Sequence, residues 1–194
     1  MVSKVRQKIV DAAAVCFHEA GYNACGVQEI VDRAGVPKGS FYNYFKAKEL
    51  LALEVLQNYT QSSGWEVFDD KTLPPIERLR IHFETMASRY AGFGYSKGCL
   101  IGNLAAESTD GAPLIRQAIA ESLTSWTKHV ADAIREGQSV GTVTADIEAD
   151  QLARFLINSW EGAIVRMKIV GSREPLDDFF VVAFPLLSVK YQAA

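Results

Sequence analysis

The stretch that decides the fold is Val27–Phe45, VQEIVDRAGVPKGSFYNYF. Val27, Ile30, Val31 and Ala34 recur at the three- and four-residue steps of one helix face, and Gly35, Val36 and Pro37 then break the pattern with residues that favour a tight corner. Pro37 biases Val36 toward an extended conformation. Lys38 to Phe45 restarts with Phe41 and Phe45 four apart, so one edge packs while the other faces out. The outer edge carries Lys38, Gly39, Ser40, Tyr42, Asn43 and Tyr44, which offer donors, acceptors and bare backbone with no acid among them. Such an edge suits phosphates and base edges. The plainer alternative is a helical hairpin inside an all-α core, with its tyrosines half buried and Lys38 solvated.

Ala20 and Gly21 precede this stretch, and Lys46, Lys48, Glu49 and Leu50 follow it. With Phe17 to Gly21, Ile30, Ala34 to Val36, Gly39, Tyr42, Phe45 and Lys48-Glu49-Leu50 in place, the segment resembles the amino-terminal domain of the tetracycline-repressor (TetR) family. The resemblance covers about the first quarter of the chain. It implies a DNA-binding head over residues 1–50 and a ligand-binding, dimerising body over residues 51–194. It further implies a homodimer on a palindromic operator, released by a small-molecule effector, with repression as the commoner behaviour. A symmetric dimer places its two helix-turn-helix units in successive major grooves, roughly 34 Å apart. Lys38, Ser40, Asn43 and Tyr44 are then the residues for base edges, Tyr42 and Lys48 for phosphates, and Gly39 permits close approach. Gln28, on the preceding helix, adds a base or phosphate contact. The chain departs from the family in two places: Tyr44 stands where histidine is frequent, and Cys25-Gly26 stands where serine or threonine commonly precedes the second helix.

Composition sets the outer limits. The 194 residues are 48% hydrophobic, enough to bury a substantial core in one or two domains. Cys16, Cys25 and Cys99 are odd in number and irregularly spaced, which argues against a disulfide framework and for a reducing compartment. His18, His82 and His129 lie far apart, so metal-ligand spacing is absent and neither a metal nor a cofactor is expected. The amino terminus lacks a signal peptide's apolar run and no later segment reaches a membrane span, so the expected location is the cytoplasm, with no membrane partner. Net charge is −3 but unevenly spread. The first 50 residues hold seven basic and five acidic side chains; the remainder hold 13 and 18. A basic head on an acidic body fits a nucleic-acid partner.

The rest of the chain reads as helices. The first covers about Ser3 to Ala20, with Val5, Ile9, Ala12, Ala13, Cys16 and Phe17 as its stripe and Gly21 as its end. Its Lys4, Arg6 and Lys8 either reach the DNA backbone or are ordinary solvated charges. A fourth helix runs from Lys48 to about Ser62, and Ser62, Ser63, Gly64 and then Asp69 to Pro75 make the next break, a candidate boundary between functional regions. Pro75 opens a fifth, striped by Ile76, Leu79, Phe83, Met86 and Tyr90. Gly92, Gly94 and Gly98 follow a helix rather than a strand and lack a Gly-Lys-Ser/Thr ending, so a nucleotide-binding loop is rejected. Cys99 to Glu107 is a short sixth helix. Ile115, Ile119, Leu123, Trp126, Val130 and Ile134 mark a long seventh that ends at Gly137. The eighth, about Asp146 to Val170, starts with Asp146, Glu148 and Asp150, which suit the positive end of a helix better than catalysis, since no base or metal ligand lies nearby. The ninth, about Pro175 to Tyr191, contains Pro185, which should kink or shorten it. These last two long helices carry more apolar surface than one flank covers, together with small residues at Ser159, Gly162 and Ala163. Paired across a twofold axis they make a four-helix bundle.

The chain is therefore expected to be all-α with about nine helices, and no assembled acid, base or nucleophile points to an enzyme. Phe83, Met86, Tyr90, Asn103, Trp126, Phe155 and Trp160 are the residues for an effector pocket, each with plain core packing as its alternative. Cys99 joins them. The run Lys97-Gly98-Cys99-Leu100-Ile101 is similar to one in a subgroup of the family that senses reactive electrophiles and oxidants. A nearby lysine and a helix start both favour thiolate, whereas a free cysteine is also often a small buried hydrophobe.

Overall fold

The computed structural model describes residues 3–107 and 112–188. Among them are nine α-helices: α1 (Lys4–Ala24), α2 (Val27–Ala34), α3 (Lys38–Tyr44), α4 (Lys48–Gln61), α5 (Pro75–Gly92), α6 (Leu100–Glu107), α7 (Pro113–Ser139), α8 (Ala149–Val170) and α9 (Glu174–Leu187). No strand is present among the described residues; the β-type pairing is one isolated antiparallel bridge between Val143 and Ser188. No helix among them is long and apolar enough to cross a membrane.

The chain divides into two compact units, Met1–Ser62 with Cys99–Ser122, and Ser63–Gly98 with Leu123–Ala194. In the first, α1 packs on α2, α3, α4 and α6. Ile9, Ala13, Cys16, Phe17, Ile30, Val31, Phe41 and Leu51 are fully buried there. Gly35 makes the corner between α2 and α3 in the left-handed conformation (φ 64°, ψ 39°), and the Val36 N–H donates back to the Val31 carbonyl at 3.0 Å. That is the glycine-capped stop its position predicts. Gly26 precedes α2 without a side-chain cap, as its lack of an oxygen dictates.

Gly21 breaks the first helix where its position predicts, at φ 81° and ψ 172°, and across that kink a short helical piece runs on to Ala24. The reason lies on α6. Glu107 fills the space beside Gly21, accepts the Asn23 N–H on Oε2 at 2.8 Å, and receives the Asn23 side-chain amide on its own carbonyl at 3.3 Å. A Cβ on Gly21 would lie 1.9 Å from Glu107 Oε1. Glu49 makes a second carboxylate-to-backbone contact, accepting the Leu114 N–H in the first turn of α7 at 3.0 Å.

In the second unit the break after α4 holds a 3₁₀ turn, Trp65–Asp69, that the hydrophobic pattern does not announce. A buried arginine fixes it. Arg78 on α5 is 0% exposed, donates to the Phe68 carbonyl at 2.9 Å and pairs with Glu136 on α7, which also meets Lys71 at 3.0 Å. The Arg78 hydrogen bond, then that of Lys71, holds the Glu136 carboxyl below its ordinary range. α8 and α9 pack together after the left-handed Gly171. α8 begins at Ala149, three residues later than expected, with Glu148 at its cap and Asp150 in its first turn. α9 ends at Leu187, two residues beyond Pro185, and the Ser188 pairing with Val143 stops it there. The expected end at Tyr191 lies outside the described residues.

Replacing Gly21 with alanine places a side chain in backbone space reserved for glycine and against Glu107. It is expected to cost about 1–3 kcal/mol of stability, read as a lower urea midpoint at unchanged slope.

Candidate nucleic-acid interface and effector site

α3 is seven residues long and contributes one buried side chain, Phe41, to the core. Phe41 meets Phe45 at 5.8 Å between ring centroids and Tyr42 edge-on at 5.1 Å. Anchoring through one edge leaves Lys38, Gly39, Tyr42, Asn43 and Tyr44 exposed and Ser40 half-buried, all on one short helix. Tyr42 is 57% exposed, unusual for an aromatic ring with nothing to cover it. Gly39 is informative because a Cβ built on it meets no atom within 4 Å. The protein's own packing does not require glycine there, although glycine costs a helix about 1 kcal/mol relative to alanine.

Four sequence-selected residues have defined partners in this unit. Gln28 is exposed on α2 and donates to Asp32 at 2.8 Å. The Tyr44 hydroxyl shares a 2.8 Å hydrogen bond with Ser3 Oγ, which brings the start of α1 beside α3, a contact no local pattern signals. Arg6 turns inward: it forms a two-pronged ion pair with Glu54 and lies over the Phe45 ring, 5.1 Å from its centroid. Lys48 also turns inward. Its ammonium donates to the carbonyls of Tyr22 (2.7 Å) and Cys25 (2.9 Å) and sits 4.1 Å from the centre of the Tyr22 ring. Two of its three protons are thus spent on the end of α1 and the α1–α2 connection. Lys4 and Lys8 remain exposed on α1. Cys25 is buried, and burial first, then the neighbouring Cys16, pushes its thiol up to about 12.

The residues expected to line an effector pocket fall in both units. Phe83, Tyr90 and Trp160 come together in the second, with Phe83 5.1 Å and Tyr90 6.5 Å from Trp160. Phe179 joins them, 4.9 Å from Phe83 and 5.0 Å from Trp160. Trp126 connects through His82, donating its indole N–H to His82 Nε2 at 2.9 Å, and His82 lies edge-on to Phe83 at 5.3 Å. Met86 is buried on the same face of α5. Phe155 is not among them. It is 52% exposed and lines a groove on the open side of α8 and α9. Cys99 is buried and Asn103 half-buried in the first unit, where the Tyr59 hydroxyl donates to Cys99 Sγ at 3.6 Å. The Lys97 ammonium sits 5.1 Å above the Phe93 ring.

His82 is a site residue that the spacing of α5 signals: it stands three after Leu79 and four before Met86, on the buried stripe. Burial lowers its pKa from the usual 6.5 to about 4; the nearby Gly64 backbone opposes this only partly, and the charges of His129 and Arg89 lower it further. The imidazole is therefore neutral at pH 7, as its acceptor role toward Trp126 requires. Among the described residues, no group of three or more His, Cys, Asp or Glu is arranged to hold a metal ion.

Comparison with known proteins places these features in context. Residues 9–55 match the family described as bacterial regulatory proteins, tetR family, and residues 75–182 match the tetracyclin repressor-like C-terminal domain. The chain is 40% identical over 186 residues to the HTH-type transcriptional repressor DhaR of Mycobacterium sp. (strain GP1), covering 94% of this chain and 92% of that protein. It is 36% identical over 180 residues to the transcriptional regulator AcuR of Cereibacter sphaeroides, covering 91% and 82% respectively. The crystal structure of a regulatory protein TetR from Rhodobacter sphaeroides superposes with a TM-score of 0.87 at 34% identity, over 95% of this chain and all of that one.

Two outcomes follow. Gly39→Ala is expected to leave the thermal midpoint unchanged or higher, yet to weaken binding to a DNA duplex selected by the wild-type protein at least tenfold, measured by fluorescence anisotropy. The unfolded chain takes up the His82 proton near pH 6.5 and the folded chain only near pH 4. Stability should fall as pH drops through that window, by about 3 kcal/mol in all from this group. Urea titrations at stepped pH read the slope, which His82→Gln should remove while keeping an acceptor for Trp126.

Proposed function

The chain belongs to the TetR family of transcription regulators, and from that premise we propose that it is a repressor released from a palindromic operator by a small-molecule effector. Members of this family bind DNA and effectors and act as dimers; they are regulators and not enzymes. The observation that carries the reading is α3, whose exposed edge is free of acid and whose Gly39 leaves its backbone open to approach. Lys38, Ser40, Asn43 and Tyr44 read base edges, Tyr42 meets phosphate, and Gln28 adds a contact from α2. Lys48 serves chiefly to hold α1 against the start of α4, with one remaining proton for a phosphate. In functional terms residues 1–50 are the head and residues 51–194 the body, a division by task that crosses the packing units.

The homodimer forms through α8 and α9. Val165, Ile169, Val181, Val182 and Leu186 are all more than half exposed there, Ile169 at 81%, which is more apolar surface than a solitary protomer normally leaves in water. Gly162 accepts a Cβ without contact, so its small size serves what packs on it from outside. The effector occupies the aromatic cluster of Phe83, Met86, Tyr90, Trp126 and Trp160 in the second unit. Phe155 belongs to the dimer face instead. The Trp160 indole N–H is buried and has no acceptor among the described residues, which favours an effector that is mostly apolar and carries an oxygen acceptor. Such a ligand needs to prefer the DNA-incompetent form by only a few kcal/mol to empty the operator.

Selecting duplexes from a random pool with the purified protein is expected to return a palindrome with half-sites one helical turn apart. Recovery of no duplex at low salt would overturn the reading. On the selected duplex Lys38→Ala should cost about 1–3 kcal/mol and relax preference at one base position of each half-site. Cys99 gives a second test. A thiol-reactive electrophile should release the selected duplex from wild type, and Cys99→Ser should abolish that release; unchanged release would remove Cys99 from the sensing role.

A further inference from the structure

The groove on the open side of α8 and α9 is mostly apolar and carries two charged side chains. A groove of about 310 Å³ runs along it, lined by Phe155, Ser159, Gly162, Ala163, Phe179 and Val182, with Arg166 and Asp178 set into the same wall. Both charged residues are exposed, and neither has an ion-pair partner among the described residues of its own protomer. Their neighbours are otherwise engaged: Asp177 accepts from Arg173 at 2.7 Å, and Arg173 reaches on to Glu84 at 2.8 Å. Each protomer therefore offers one unmatched cation and one unmatched anion in a face that water must leave when it is covered.

We propose that Arg166 and Asp178 set the register and self-specificity of the homodimer, with Arg166 of each protomer pairing with the carboxylate of Asp178 on the second copy. This rests on the reading of α8 and α9 as the dimer face. A twofold axis presents a patch to itself, so a residue that meets its counterpart's neighbour does so twice, once in each direction. One positive and one negative position per copy then make two equivalent pairs with no net charge left over. A groove holding two charges of one sign would repel its own copy. Guanidinium against carboxylate is also the pairing whose flat, two-pronged geometry fixes orientation, where the surrounding valines and small residues only supply contact area. A sliding or rotated packing of the same apolar face leaves both charges desolvated and unpaired, which is the costly outcome. The same arithmetic excludes a foreign chain of this fold that lacks the matched pair.

The test uses full-length protein and needs neither operator nor effector. Dimer dissociation constants are measured by sedimentation and native mass spectrometry for wild type, Arg166→Asp, Asp178→Arg, the double reversal and Val182→Asp, with circular dichroism confirming that each variant is folded. Each single reversal is expected to weaken the homodimer at least about thirtyfold. Mixing the two single-reversal chains should restore a dimer of near wild-type affinity that is almost wholly mixed, because both cross-pairs are then opposite in sign. The double reversal should pair with itself and refuse wild type. Restoration by the double reversal without preferential pairing in the mixture would mean that the two side chains serve each other within one protomer, and would overturn the proposal. Unchanged dissociation constants for the single reversals, with Val182→Asp still breaking the dimer, would overturn the charge pair and leave the α8–α9 face standing. A dimer that tolerates Val182→Asp as well, or a monomeric wild type, would overturn both.

Discussion

Phe41 is the side chain on which the exposed edge of α3 depends. Seven residues are too few to hold a helix in water by backbone hydrogen bonds, so α3 exists because its one buried ring is taken up by the core. Burying a ring of that size supplies about 1.5–3 kcal/mol, enough to settle a short segment that the Gly35 corner has already aimed. Phe45 continues the anchor and is covered in turn by the Arg6 guanidinium. Since two rings on the inner edge carry the packing, the outer edge is released from it and can be composed for recognition alone.

The second unit reaches order by the opposite means. Its core admits Arg78 and His82, both fully buried, where an all-apolar stripe would have been simpler. Each is tolerated because a specific acceptor or donor meets it: the Phe68 carbonyl and Glu136 for the arginine, the Trp126 indole for the imidazole. Buried polar contacts of this kind tie elements to one arrangement more than they add stability. Here they bind the 3₁₀ turn and α7 to α5, around the aromatic cluster assigned to the effector.

The helices and the corner were legible in the chain because periodicity and glycine placement report local physics. Val27 to Phe45 could be divided into α2, turn and α3 from spacing and glycine placement, and Pro75 marked the first residue of α5. What escaped was decided by partners distant in sequence. The inward turns of Lys48 and Arg6 depend on carbonyls, a ring and a carboxylate that only the folded unit brings near. The grouping of residues 99–122 with the head could not be read from any local pattern, nor could the separation of Phe155 from Phe83 and Trp160. Phe155 shows why: one aromatic at helical spacing looks the same whether the neighbouring helix or open solvent lies opposite it.

Gly21 and Glu107 occupy a single volume, 86 positions apart in the chain. A lineage that loses the glycine strains the backbone at φ 81° and pushes the acid aside, and one that shortens the acid strips the Asn23 N–H of its acceptor. Descendants of this sequence should therefore carry the two residues as an inherited couple. Chimaeras that splice the head of one relative onto the α6 of another would have to take both or neither.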